Sequence, residues 1–293
     1  MILLGNSVAS EVEKKISRAI NSLPHHRKPT LAVILVGAYA PSHTYVNAKK
    51  RACARVGILP ELHVLPESTT EKELLSLITS LNLHPHVDGI LLQLPLPNHL
   101  SSQKIIDAID PSKDVDGIHS LNMGKLLAGI PGGFVPCTPL GIQKLLTYYQ
   151  IPIKGQHVVI VGRSRIVGKP LAALLLQNNA TVTVTHSHTK NLSALTQMAD
   201  ILIAALGVPL FVKEEMVKAG SVVIDVGMNR IPDSTSAAGY RLVGDVDFEN
   251  VQKKCSAISP VPKGIGPMTV ALLLHNTLLS FIQKEGVFSD FSL

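Results

Sequence analysis

The stretch VVIVGRSRIVGKPLAALLLQNN, residues 158–179, places a continuous apolar run, a Gly-containing turn and a helical pattern in immediate succession. In such a strand–turn–helix unit, glycine lets the backbone approach a pyrophosphate, and the helix start supplies N–H donors and partial positive charge. The turn departs from G-x-G-x-x-G because Ser164 occupies the second glycine position. An ordinary β–α turn is the alternative, but the context favours a dinucleotide-binding loop from Gly162 to Pro170.

Short apolar runs and helical-period segments alternate on both sides of this stretch. We predict strands at 31–36, 62–65, 89–94, 158–162, 181–185, 201–206 and 222–227, and helices at 42–56, 71–82, 140–149 and 268–284. Continuous apolar strands that alternate with helices are typical of parallel sheets covered on both faces. The predicted fold class is therefore α/β.

Two Gly/Pro-rich stretches, Gly129–Pro139 and Ser259–Pro267, divide the chain. They suggest an inserted arrangement in which an N-terminal α/β domain takes back the last helix. We predict one domain from residues 1–140 plus 269–293, and a nucleotide-binding domain from residues 141–268.

Composition excludes several classes of protein. Of the 293 residues, 46% are hydrophobic and 16% charged, so the chain can build a buried core and is not disordered. Aromatic residues make up 4%, with no Trp, and no Lys/Arg-dense block occurs, which argues against a nucleic-acid partner. The net charge of +6 suits an anionic small ligand, although it also serves solubility.

Targeting and metal-binding signals are weak. The three cysteines lie far apart and the start, MILLGNSVASEVEKKI, has no basic n-region, so we expect a cytoplasmic protein without disulfides. The apolar stretch Val270–Ile282 is too short to cross a membrane. We expect no metal site, because His186-x-His188 has no third ligand nearby and Lys125 replaces the bidentate Glu of a calcium loop at KDVDG.

The end of the strand at 181–185 indicates which cofactor is bound. An NAD enzyme usually has a carboxylate there for the ribose 2′-OH. Here the chain continues His186-Ser187-His188, and Arg163 lies in the first loop, where its fork suits a phosphate. We therefore predict NADP, with Arg163 and Ser187 on the 2′-phosphate; the alternative is that both are solvated loop residues.

Candidate catalytic and substrate-binding residues lie at or after the ends of two predicted strands of the first domain. Tyr45 and Lys49 are spaced i, i+4, so they share one helix face just past the carboxyl end of a strand. Gln93 interrupts the apolar run ILLQLP and needs hydrogen-bond partners, which include a backbone group or a nearby lysine. Asp114 and Asp116 lie in the loop KDVDG, where ordinary turn chemistry is the plain alternative.

Six motifs, in order from Gly37 to Thr269, resemble one family, the bifunctional methylenetetrahydrofolate dehydrogenase/methenyltetrahydrofolate cyclohydrolases. They are SxxYVxxK, LQLPLP, KDVDG, PCTPxG, GRSxIVGxP and PVPxGIGPMT. The resemblance implies two α/β domains flanking a cleft, the second a Rossmann-like parallel-sheet NADP-binding domain, in a homodimer. It also implies the reaction: hydride transfer from 5,10-methylenetetrahydrofolate to NADP, then hydrolysis to 10-formyltetrahydrofolate in the same cleft.

The resemblance also implies site residues. Lys49 would be the key catalytic residue, Tyr45 would stack on the folate, Gln93 would support Lys49, and Asp116 would hold the pterin. The remaining folate contacts, including a possible polyglutamate tail, would involve Leu92, Leu94, Pro260, Pro262, Gly264, Gly266 and Pro267. The cofactor would contact Gly162, Arg163, Ser164, Ser187 and Met228. One departure is Lys263, where the family commonly has glycine, so the geometry of that loop is in question.

Two other functions fit parts of the sequence. A shikimate-type NADP-linked dehydrogenase also has two domains, but it does not require the set Tyr45, Lys49, Gln93 and Asp116. A regulatory or scaffold protein would bind NADP without turnover.

Overall fold

The structure is a computed structural model, and it describes residues 1–23, 27–38, 40–236 and 239–286. The strands in chain order are β1 (Thr30–Val36), β2 (Leu59–Leu65), β3 (Gly89–Leu92), β4 (His157–Val161), β5 (Thr181–Thr185), β6 (Ile201–Ala204), β7 (Val222–Asp225), β8 (Asn229–Pro232), β9 (Tyr240–Val243) and β10 (Ala257–Ile258). The helices are α1 (Gly5–Ser22), α2 (Ala40–Val56), α3 (Glu71–Leu83), α4 (Ser102–Ile106), α5 (Ser120–Ala128), α6 (Cys137–Tyr148), α7 (Gly168–Gln177), α8 (Leu192–Thr196), α9 (Phe248–Val251) and α10 (Ile265–Glu285).

The chain forms two compact units. Unit A comprises Ser10–Cys137 and Val270–Leu293, and unit B comprises Met1–Ala9 and Thr138–Thr269. Residues 1–9 thus differ from the predicted assignment to the first domain. They pack in unit B because Ile2 forms a parallel bridge with Ile258 and Leu3 donates its backbone N–H to the Ile258 carbonyl at 2.8 Å.

Unit A contains a parallel sheet in the order β2-β1-β3. Apolar side chains of β1 and β3 pack with α3 in a buried cluster that includes Ile34, Ile78 and Ile90. The helix α3 begins with a capping box between Thr70 and Glu73, which satisfies N–H groups of the first turn. β3 stops at Leu92, two residues before the predicted end.

Unit B contains a five-stranded parallel sheet in the order β10-β7-β6-β4-β5, with a separate antiparallel pair β8–β9. The inner strands β4, β6 and β7 are buried almost throughout, which accounts for their continuous apolar runs. β5 has the predicted bounds, and β4 ends at Val161, directly before Gly162.

The helix α10 is longer than the apolar stretch recognised in the sequence. With 21 residues it is long and apolar enough to cross a membrane, but 72% of its most apolar window is buried inside the protein. Its composition is that of a core helix, with Leu274, Leu278 and Phe281 fully buried.

Candidate active site

Lys49 and Gln93 contact each other directly in unit A. Lys49 lies on α2, and its Nζ donates a hydrogen bond to Gln93 Oε1 at 2.9 Å. The Gln93 amide nitrogen donates to the Leu94 carbonyl at 2.7 Å, which leaves its oxygen directed at the amine. The buried polar residue of the strand run therefore has the lysine as one of its partners.

Asp116 and Lys49 shift each other's titration. Burial lowers the pKa of the Lys49 amine, and the negative charge of Asp116 opposes this shift. Burial raises the pKa of Asp116, and Lys49 opposes that shift in turn. The pair thus combines a partly desolvated amine with a carboxyl group, which is the kind of arrangement that tunes a lysine for proton transfer.

The loop that carries Asp116 is held by two residues to which the sequence analysis assigned no role. Asn276, on α10, donates from Nδ2 to the carbonyls of Val115 at 2.9 Å and Val135 at 3.2 Å. The Cys137 thiol donates to the Val115 carbonyl at 3.3 Å, and burial raises its pKa well above the ordinary thiol value. Asn276 was detectable only as a polar residue inside an apolar helical run.

Asp114 has a structural part in the same loop. Its carboxylate accepts from the His119 N–H at 2.8 Å and from Asn122 Nδ2 at 2.8 Å. Burial raises the pKa of Asp114 to about 6, and these donors oppose the rise. These contacts agree with turn chemistry, the plain alternative for this residue.

The other predicted folate residues of unit A are Tyr45, Leu92 and Leu94, which are close in sequence to Lys49 or Gln93. Tyr45 is one helical turn before Lys49 and 38% exposed, so part of its surface is available to a ligand. Leu92 is buried at the end of β3, and Leu94 is half-buried beyond it.

The turn after β4 requires glycine at two positions. Gly162 has φ +125°, and a Cβ there would lie 2.1 Å from the Ala205 carbonyl oxygen. A Cβ on Gly168 would lie 2.1 Å from the Gly162 carbonyl oxygen. Ser164, in the second glycine position, uses its Oγ to accept the Val167 N–H at 3.2 Å. The backbone can therefore approach a ligand closely here, as the dinucleotide-loop prediction requires.

A pocket of about 350 Å³ lies at the carboxyl ends of β4, β5 and β6. Gly162, Arg163, Ser164 and Ser187 line it, together with Ala205, Leu206, Val208 and Phe211 from the segment after β6. The predicted 2′-phosphate residues Arg163 and Ser187 thus share one pocket. The glycine cradle and this cationic, partly apolar lining fit a dinucleotide.

The Pro/Gly-rich stretch 259–267 belongs to unit B, and its last residues, from Ile265 on, form the first turn of α10. The predicted folate residues of this stretch are Pro260, Pro262, Gly264, Gly266 and Pro267. Lys263 has φ +83°, a left-handed conformation that favours glycine. A lysine at this position therefore carries backbone strain that a glycine would not. Met228 is 37% exposed, and its Cε lies 2.8 Å from where a Cβ on Gly266 would be.

Comparison with known proteins gives two family-model matches. Residues 3–116 match the catalytic domain, and residues 136–285 the NAD(P)-binding domain, of tetrahydrofolate dehydrogenase/cyclohydrolase. The chain belongs to this family. The matches confirm the resemblance drawn from the motifs, the α/β fold with its NADP-binding domain, and the two activities of the enzyme. They decide against the shikimate-type and non-enzymatic alternatives.

Individual relatives match along nearly the whole chain. The bifunctional protein FolD of Chlamydia abortus is 53% identical over 287 residues, 96% of this chain and 98% of that protein. The crystal structure of FolD from Campylobacter jejuni has a TM-score of 0.92 at 45% identity and covers 98% of this chain and 99% of its own. The Trypanosoma brucei enzyme, solved with NADP cofactor and an inhibitor, has a TM-score of 0.93 at 36% identity, with 99% of both chains covered.

Proposed function

We propose that Lys49 of unit A manages the protons of the hydrolytic step, supported by Gln93, and that the pocket of unit B holds NADP. The observation that carries the first part is the 2.9 Å contact between Lys49 and Gln93 beside the charge of Asp116. We further propose that both steps act on one folate molecule bound in a shared cleft, with Tyr45 stacked on it and the predicted residues of 260–267 as additional contacts.

The dehydrogenase step depends on positioning. NADP, when bound, accepts the hydride from the methylene bridge between two folate nitrogens. Both nitrogen lone pairs stabilise the resulting cation, so this step needs no protein base. Gly162, Arg163, Ser164, Ser187 and Met228 would hold the cofactor, and Tyr45 and Asp116 would hold the folate at near-attack distance.

The hydrolytic step depends on proton transfer. Water adds to the methenyl carbon and loses one proton, which gives a neutral carbinol. The bond from this carbon to the folate N5 then breaks, N5 gains a proton as the hydroxyl loses one, and 10-formyltetrahydrofolate forms. The lowered pKa of Lys49 increases the fraction of neutral amine that can accept the proton lost by water. The cofactor part of the proposal is tested by mixing the enzyme with 5,10-methylenetetrahydrofolate and NADP. NADPH should form only when the enzyme has both the folate and NADP, and a failure to form NADPH would contradict this part of the proposal.

Replacing Asp116 should change both folate binding and the pH profile. Asp116→Asn removes a charged acceptor, so folate Kd should rise about 10- to 100-fold, the usual effect of losing a charge-assisted hydrogen bond. Because Asp116 opposes the lowering of the Lys49 pKa, its loss should shift the acid limb of cyclohydrolase activity to lower pH. Folate titration and a pH profile measure the two effects, and an unchanged Kd would contradict the binding role.

Replacing Arg163 should weaken NADP binding more than NAD binding. Arg163→Gln removes the guanidinium from the pocket, so Kd for NADP should rise about 10- to 100-fold and Kd for NAD should change little. The matched control is Arg165→Gln, an exposed arginine two residues along the same loop. Equal effects of Arg163→Gln on both cofactors would exclude a 2′-phosphate contact.

We also propose a cytoplasmic homodimer that accepts polyglutamylated folates and binds neither nucleic acid nor membranes. Support comes from the composition and from the family resemblance. Sedimentation equilibrium at assay concentration should give twice the chain mass, and the mass of a single chain would contradict the dimer.

A further inference from the structure

Two buried aspartates of unit B, Asp225 and Asp245, have no part in the function described above. Asp225 is the last residue of β7 and 2% exposed; Asp245 follows β9 and is 0% exposed. A buried carboxylate is costly unless donors satisfy it. The donors that surround this pair identify what the pair holds in place.

Asp245 holds the start of the segment that follows β6. Its Oδ2 accepts the backbone N–H groups of Leu206 at 2.7 Å and Gly207 at 2.9 Å. Its Oδ1 accepts from Asn229 Nδ2 at 2.9 Å, and its backbone carbonyl accepts the Val212 N–H at 2.9 Å. Leu206 lines the pocket proposed for NADP, so one carboxylate fixes part of the pocket wall.

Asp225 in turn holds Asp245. Its Oδ1 accepts the backbone N–H groups of Asp245 at 2.9 Å and Gly227 at 3.0 Å, and its Oδ2 accepts that of Val246 at 3.0 Å. The Asp225 backbone N–H donates a hydrogen bond to Ser259 Oγ at 2.8 Å. The segments after β6, β7 and β9 are thus connected through two side chains.

Two glycines make room for these carboxylates. A Cβ on Gly244 would lie 1.7 Å from Asp225 Oδ2, and a Cβ on Gly227 would lie 2.2 Å from Asp245 Oδ1. Any side chain at either position would displace a carboxylate from its donors. The local backbone is therefore matched to the two aspartates.

We propose that Asp245 is a positioning residue of the NADP site, which holds residues 205–208 in the conformation that accepts the cofactor. Asp225 acts through Asp245 by fixing its backbone. This inference rests on the proposed placement of NADP in the pocket lined by Leu206. It assigns Asp245 no contact with either substrate.

The test is Asp245→Asn, which replaces one oxygen by an NH₂ group that cannot accept hydrogen bonds. Because the variant keeps only one of the two acceptor oxygens at residue 245, some of the donors that the carboxylate holds lose their partner. NADP Kd and KM should therefore rise at least about tenfold, the usual cost of a lost hydrogen bond to a charged group. Hydrolysis of supplied 5,10-methenyltetrahydrofolate needs no cofactor, so its kcat should stay within about twofold. An unchanged NADP Kd and KM in the Asp245→Asn enzyme that folds, whatever the total activity recovered, would overturn the proposal.

The matched control is Asp247→Asn. Asp247 lies two residues after Asp245, is more exposed, and forms an ion pair with Lys213. It should leave NADP Kd unchanged. If Asp245→Asn does not fold, Asn229→Ala removes one donor to Asp245 and leaves the carboxylate in place. It should raise NADP Kd in the same direction by a smaller factor, and an unchanged Kd in this variant would overturn the proposal.

The placement of NADP is tested separately by Arg163→Gln. If that variant and Asp245→Asn both leave NADP binding unchanged, the pocket assignment fails. If only Asp245→Asn leaves it unchanged, the positioning role fails and the pocket assignment stands.

Discussion

Lys49→Gln is expected to lower the rate of methenyltetrahydrofolate hydrolysis by about 10²- to 10⁴-fold, the usual contribution of a positioned acid or base. Glutamine retains a polar end that can still meet Gln93, so the contact at the end of β3 keeps a partner. It cannot exchange a proton at neutral pH. The loss should therefore appear in kcat for supplied methenyl substrate, with the fold intact.

The control for this variant is Lys50→Gln, an exposed lysine at the next position of α2. It removes the same charge from the same helix and should hydrolyse the methenyl substrate at the wild-type rate. NADP Kd should be unchanged in both variants, because Lys49 and Lys50 belong to unit A. Full hydrolysis by Lys49→Gln would remove this residue from the mechanism.

Gly162→Ala is expected to abolish measurable NADP binding. The new Cβ would lie 2.1 Å from the Ala205 carbonyl oxygen, and φ is +125°. Overpacking costs about 1–3 kcal/mol and a backbone conformation reserved for glycine about 1–3 kcal/mol more. These two costs are relieved only if the turn or the segment after β6 moves. The turn and that segment both line the pocket, so either movement changes the surface that would bind NADP. NADP titration and thermal unfolding measure the effect.

Gly155→Ala is a control that introduces backbone strain without a steric clash. Gly155 also lies in unit B and has φ +77°, but a Cβ there meets nothing within 4 Å. It should cost about 1 kcal/mol of stability through its backbone alone and leave NADP Kd unchanged. Equal NADP affinity in Gly162→Ala and wild type would contradict the cradle assigned to this turn.

The inner strands of the parallel sheets follow from local sequence because they are buried on both faces, as in β4 and β6. The apolar run predicted at 201–206 stands out without knowledge of its partners, although β6 ends at Ala204. The Thr/Val alternation 181–185 stands out by its β-branched residues, and β5 has its predicted bounds. The helix α1 was not predicted, although Val8, Val12, Ile16 and Ile20 recur at helical spacing and are buried.

Features fixed by distant pairing were not predictable in this way. Residues 1–9 join unit B through a bridge from Ile2 to Ile258, which no local pattern records. The same holds for the Asn276 clamp on Val115 and for the Asp225–Asp245 pair, whose partners lie on other elements. Among the site residues, the isolated polar Gln93 predicted only a backbone or lysine partner, and it was the family resemblance that named Lys49 as that partner.

The central claim is that Lys49 serves the second reaction and not the binding of NADP. The most direct measurement follows the absorbance of the methenyl product after wild-type enzyme or Lys49→Gln is mixed with 5,10-methylenetetrahydrofolate and NADP. We predict that the methenyl signal rises and decays with the wild type, whereas any signal formed by Lys49→Gln persists and is cleared only at the non-enzymatic rate. Clearance by Lys49→Gln at the wild-type rate would contradict the claim.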